Sequence, residues 1–266
     1  MSDIFDKGAA AMPAAPRVRP ITLADVAAAL RAGVEDFRRA PVFGLFFGGI
    51  YAAGGIVLLS TVFALGVSYL AYPLVAGSVL IGPFVAAGLY AVSRDMEAGK
   101  TPTWTDVLRV VFDQRKREMS WMAFVSIFAF IIWMYQVRLL LALFLGFASF
   151  STLHSFLVVL FTTSDGLAFL AVGHVVGAAL ALALFSLSVI SFPLLMDRDV
   201  DVVTAMITSV QAVLLSPGPM IAWGILVVAT LLVASLPAFL GLIVALPVLG
   251  HATWHLYRRT VLPSRA

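Results

Sequence analysis

The chain contains no cysteine. That single absence excludes disulfides, thiolate metal sites, iron–sulfur clusters and covalently attached c-type haem, and it leaves the redox compartment undetermined. Charge is scarce too: Asp, Glu, Lys and Arg make up 12% of the 266 residues, against 62% hydrophobic residues, and the mean hydropathy is +1.04. A water-soluble domain of this length cannot cover itself with so few charges, so the sequence reads as a polytopic membrane protein. Walker loops, dinucleotide fingerprints, HExxH pairs and GxSxG elbows are also missing, which weakens the ATPase, dehydrogenase and commoner hydrolase readings. The formal charge of +3 does not point to nucleic acid, because the basic residues sit beside hydrophobic runs and not in a basic domain of their own.

What is present is a series of long apolar runs. About 20 apolar residues cross a hydrocarbon core of about 30 Å, and that template fits residues 41–66, 67–92, 118–138, 171–195, 218–238 and 239–257. Of the 17 Lys and Arg residues, 16 lie in the N-terminal arm, the connectors 94–117 and 196–217, or the C-terminal tail. Six spans place all 16 on one side, which the positive-inside rule makes the cytoplasm, with both termini in. A seventh span over the apolar stretch 139–163 would put Arg258, Arg259 and Arg265 outside. That stretch is therefore read as an extension of the third helix plus a re-entrant or interfacial helix on the outer side. Residues 1–20 lack the apolar core of a secretory signal and read as a disordered cytoplasmic tail, and 261–266 read as a cytoplasmic tail. Between them lies one membrane domain, 21–260.

Inside that domain three segments share a layout, beginning at ITLADVAAAL, TPTWTDVLRV and DVDVVTAMIT. Each reads as an amphipathic helix running into a membrane hairpin, giving repeats over about 21–95, 102–197 and 198–260. Val26, Leu30, Val34 and Phe37 form one helical stripe, and Val203, Ile207, Val210 and Leu214 form another. Thr22 with Asp25 and Thr103 with Asp106 have capping-box spacing shortly after Pro20 and Pro102. The surplus length of the second repeat maps to the outer segment around 139–163. The expected fold is all-α: six transmembrane helices as three hairpins, each preceded by a short cytoplasmic amphipathic helix, with an extra apolar segment in the second hairpin.

Candidate chemistry is sparse. His251 and His255 are four apart, the spacing that lets two imidazoles share a metal or one bind haem, although packing and hydrogen bonding near the interface explain them as well. Trp254 and Tyr257 beside them read as interface-belt residues. His174 is expected on the opposite side of the membrane, so depth argues against a single haem between it and His251. Its small neighbours Gly173, Gly177 and Ala178, like Gly48, Gly49, Gly54 and Gly55, read as close-packing positions. No acid falls at the middle of a predicted span, which argues against proton coupling. Arg138 is the basic residue left over: about 30 Å above the start of its helix, it is expected at the outer boundary, where Asp165 is the one acid. The two form a structural pair or remain two solvated charges.

The run SFPLLMDRDVDVVTAMITSVQAVLLSPGPMIAWG, residues 191–224, resembles a bacterial family of integral membrane proteins, domain of unknown function 2189. Some of its members are labelled as cytochrome c oxidase subunits. The resemblance implies association with a respiratory complex and offers no catalytic residues. The expectation is a non-enzymatic, multi-pass protein of the bacterial inner membrane, without a cofactor. It would contact the lipid bilayer and other membrane subunits, a terminal oxidase complex among the candidates, and no nucleic acid. The alternatives are a small-solute transporter or channel, which a broken helix lining a cavity would favour, and a haem-binding redox protein.

Overall fold

The computed structural model describes residues 16–66, 74, 82–113, 118–146 and 152–263. Much of the expected span 67–92, the connector 114–117 and residues 147–151 of the outer segment fall outside the described residues. Eleven helices are described: α1 (Leu23–Arg39), α2 (Pro41–Ala64), α3 (Gly82–Glu97), α4 (Trp104–Asp113), α5 (Glu118–Leu145), α6 (Leu153–Thr162), α7 (Ser164–Ser188), α8 (Ser191–Asp197), α9 (Val202–Leu215), α10 (Pro217–Ser235) and α11 (Leu242–Thr260). By length and composition four apolar stretches can cross a membrane: Pro41–Ala64, Ser120–Leu145, Ser164–Asp197 and Pro217–Ser235. They coincide with four of the six expected spans. The other two correspond to α3 and α11, and α11 is diluted by two histidines, Trp254, Tyr257 and two arginines.

The three amphipathic helices form where the sequence places them. At α1, Thr22 accepts from the Asp25 N–H while Asp25 reaches back to the Thr22 N–H, a complete capping box. At α4, the Asp106 N–H donates to Thr103 Oγ1. At α9 the cap is Asp201, which accepts from Thr204 N–H at 2.9 Å. The joints α1–α2 and α9–α10 share one backbone geometry: Ala40 has φ −132°, ψ 55° and Ser216 has φ −139°, ψ 60°. Each is followed by proline at the first helical position, where its fixed φ and missing N–H cost nothing.

The helices gather into two groups. In one, α11 is the central post, packed against α1, α2, α3 and α10; in the other, α7 packs against α5, α6 and α9. Backbones come close where side chains are smallest. A Cβ on Gly33 would lie 2.5 Å from the Ala252 nitrogen, and one on Gly48 would lie 2.5 Å from the Ile243 carbonyl oxygen. Of the other small residues expected to pack, Gly55 meets the Phe239 ring and Gly177 the Trp133 ring, whereas Gly49 and Gly54 face open space.

The region expected as the second hairpin departs from a simple up-and-down pair. Helix α5 runs unbroken through Arg138 to Leu145. The ten-residue α6 that follows is about 15 Å long, half a bilayer core. The stretch Ser164–Asp197 is broken at Val189–Ile190, because Pro193 lacks an N–H and its ring cannot pass the carbonyl four residues back. The break is packed shut: the Ile190 N–H donates to Ser209 Oγ at 3.1 Å, and Val189 to Met196 are all buried. Residues 17–19, expected in the tail, are tied to the end of α11 by Arg19 N–H to Thr260 O and Leu262 N–H to Arg17 O, both 2.9 Å.

Candidate functional site

The buried polar groups concentrate at the charged end of the α11 group. Helix α1 turns Val26, Ala29, Gly33 and Asp36 toward α11, so an acid sits on the covered stripe of an amphipathic helix. Ser93 of α3 comes to meet it: its hydroxyl donates to Asp36 Oδ2 at 2.7 Å and lies 2.8 Å from His251 Nδ1. His255 Nε2 lies 2.7 Å from the same Asp36 oxygen. Four side chains from three helices form one chain of hydrogen bonds, His255–Asp36–Ser93–His251, with Ser93 and His251 fully buried.

Counting protons fixes the tautomer. Burial works to raise the Asp36 carboxyl, but hydrogen bonds from His255 and Ser93 outweigh it and hold the group below its usual value. An ionised Asp36 only accepts, so the Ser93 proton points to it, and His251 Nδ1 must then carry the proton donated to Ser93 Oγ. Nε2 of His251 is therefore the bare nitrogen. It is buried and lacks a hydrogen-bond partner.

An acid, a hydroxyl and an imidazole in contact resemble the parts of a nucleophilic triad, but the order is different. In a triad the imidazole stands between acid and hydroxyl so that it can take the hydroxyl proton. Here the hydroxyl stands between acid and imidazole, is fully buried, and braces α1, α3 and α11 together.

A second cluster continues the bracing. Glu97 at the end of α3 accepts from Trp254 Nε1 at 3.1 Å and from Arg258 Nε at 3.0 Å. Asp197 at the end of α8 accepts from the Tyr257 hydroxyl at 2.6 Å and meets Arg258 Nη1 at 3.4 Å. Asp25 takes Arg19 at 3.3 Å and Arg259 at 3.6 Å. Trp254 and Tyr257 are thus not belt residues: they are 1% and 0% exposed, because α1, α3 and α8 wrap the end of α11 and claim their polar tips. The histidine pair is likewise committed to Asp36 and Ser93.

The two residues expected on the outer side stand apart. Arg138 and Asp165 are both exposed, and no ion pair or hydrogen bond joins them among the described residues. Gly177 faces Trp133 and Gly173 faces Leu140, so α5 and α7 run antiparallel with Arg138 level with His174. Asp165 begins α7 nine residues earlier, about 14 Å along its axis. His174 Nδ1 is 2.7 Å from the Leu170 carbonyl of its own helix, and its side chain is exposed.

An all-helical chain with four apolar stretches of spanning length, bound together by buried polar braces at one end, defines an integral membrane protein. The family model for domain of unknown function 2189, described as a predicted integral membrane protein, matches residues 71–197. The match bears out the resemblance seen in the sequence, but it covers the stretch expected as the second repeat and overlaps only residues 191–197 of the run at 191–224. Neither the curated proteins nor the solved structures gave a match.

Proposed function

We propose that the protein is a non-catalytic accessory or assembly subunit of a larger complex in the bacterial inner membrane. A respiratory, cytochrome oxidase-like complex is the case that the family label favours. The observation that carries the reading is the bareness of α5. Only 6% of its apolar stretch is buried within the molecule, against 28% for Pro41–Ala64, and Phe124, Ile127, Phe128, Ile131 and Tyr135 are all exposed. The polar groups at the charged end serve as braces, which suits a scaffold better than an enzyme. A transporter would gain support from a broken helix lining a water-filled path, but the break at Val189–Ile190 is closed by Ser209.

The absence of cysteine makes the test direct. A single cysteine at Ile131 is expected to react slowly with a lipid-soluble maleimide in native membranes and quickly after purification and reconstitution, while one at Val57 of α2 reacts equally in both. Equal reactivity of Ile131→Cys in the two settings would leave α5 lipid-covered and the reading without its support.

In this reading six helices cross the membrane, α3 and α11 included, with the basic connectors and both termini cytoplasmic. Topology reporters fused after Lys100, Pro217 and Ala266 should all report inside. An outside signal at Ala266 together with an inside one at Lys100 would require an odd number of later spans.

A further inference from the structure

Helix α5 carries one charged residue between Ser120 and Leu145, and that residue is Arg138. It lies on a definite face. Phe124, Phe128, Ile131 and Tyr135 precede it at the spacing of a single helical stripe, and they are 61%, 56%, 46% and 70% exposed. The stripe is partly pre-ordered, since the Phe124 and Phe128 rings are stacked with an interplanar angle of 8°. The guanidinium has no hydrogen-bond or ion-pair partner among the described residues, and the Asp165 carboxylate is about 14 Å away along α7.

The helix also continues seven apolar residues beyond Arg138, to Leu145. The cation is thus about 10 Å short of the helix end, collared by apolar side chains above and below. A guanidinium flanked by apolar turns favours a carboxylate partner, and the nearer it lies to the hydrocarbon the more it costs unpaired. Aromatic side chains around an arginine are also the residue types that dominate binding energy at protein interfaces.

We propose that the Phe124–Arg138 stripe of α5 docks a transmembrane helix of another protein that carries an Asp or Glu at the depth of Arg138. This rests on the accessory-subunit reading and supplies the chemistry of the partner. A second copy of this chain is a poor occupant, because a two-fold interface centred on the stripe would bring Arg138 against Arg138. Headgroup phosphate is the competing ligand, since the 20 residues of α5 below Arg138 raise it about 30 Å, to the outer boundary, and an adduct with lipid alone would be its signature.

The test uses the full chain in its native membranes, with a photo-crosslinking amino acid at Tyr135 and the adduct identified by mass spectrometry. The expected adduct contains a membrane helix with a carboxylate beside the crosslink. Its yield should be retained in Arg138→Lys, fall more than about tenfold in Arg138→Glu, and return when the partner's acid is changed to Lys. Arg138→Gln serves as the second variant if Arg138→Glu does not fold, and should show the same loss. A protein adduct indifferent to Arg138→Glu overturns the carboxylate recognition while leaving the accessory reading intact. Adducts with lipid alone, or with a second copy, overturn the docking proposal, and lipid alone together with equal maleimide reactivity at Ile131 removes both.

Discussion

Replacing Asp36 with Ala should lower the stability of the folded bundle by about 3 kcal/mol. The carboxylate is the shared acceptor for Ser93 and His255, at 2.7 Å from each, and its loss strands the buried Ser93 hydroxyl and leaves the half-buried His255 without its acid. Ser93 would then have only His251 to bond, and the pin between α1 and the α3–α11 pair would be gone. Asp36→Asn keeps one acceptor oxygen and should cost about half as much. The pH dependence has a definite sign. The native carboxyl lies below its ordinary value of 3.8, so its contribution is present above that value and is lost as pH falls through the native one. The gap between parent and Asp36→Ala should therefore close in acid. Unfolding in mixed micelles, followed by tryptophan fluorescence with Trp254 as a local reporter, measures both effects; a variant as stable as the parent at neutral pH would show that the network is decoration.

Gly33→Ala should be comparably damaging, at about 2 to 3 kcal/mol, despite alanine's better helix propensity. The added carbon would lie 2.5 Å from the Ala252 nitrogen and 2.8 Å from its Cα. What it meets is the backbone of the facing helix, which has no rotamer to change, so α1 must lift from α11 and stretch the Asp36 bonds one turn further on. Gly49→Ala and Gly54→Ala are the controls. A Cβ at either position meets nothing within 4 Å, and removing a flexible glycine from a helix should leave stability unchanged or raise it by up to about 1 kcal/mol. If Gly33→Ala behaves like Gly49→Ala, the close crossing of α1 and α11 is wrong.

Helices with strong local signals were legible in the sequence. The capping box at Thr22, the side-chain cap at Thr103, the prolines at positions 41 and 217 and the long apolar runs each act within a few residues, so composition and spacing reveal them. The direction a stripe faces was not legible. Val26, Leu30, Val34 and Phe37 lie toward the bundle, whereas Val203, Ile207 and Leu214 are 54%, 53% and 73% exposed while Thr208 and Ser209 are buried. In a bilayer both the protein interior and the solvent are apolar, so amphipathicity alone does not distinguish inside from outside. Ser209 faces inward because the break at Ile190 needs an acceptor, and that need arises in another helix. The braces were hidden for the same reason: Asp36, Ser93 and His251 are separated by 57 and 158 residues. The one local clue was an acid at the end of the stripe Val26, Ala29, Gly33, which is visible only once glycine is counted as a contact residue.

The pairing of α1 with α11 joins the first helix described to the last. During synthesis the groove at Gly33 and the carboxylate of Asp36 must wait for Ala252 and His255, about 220 residues later. At ordinary elongation rates that is about 10 to 40 s. For that interval α1 lacks its main packing surface, and of the partners of Asp36 only Ser93, 57 residues on, has been made. The packing of α1 is therefore completed only when α11 has been made, and a nascent protein stopped before α11 should present α1 as a loose, protease-sensitive arm.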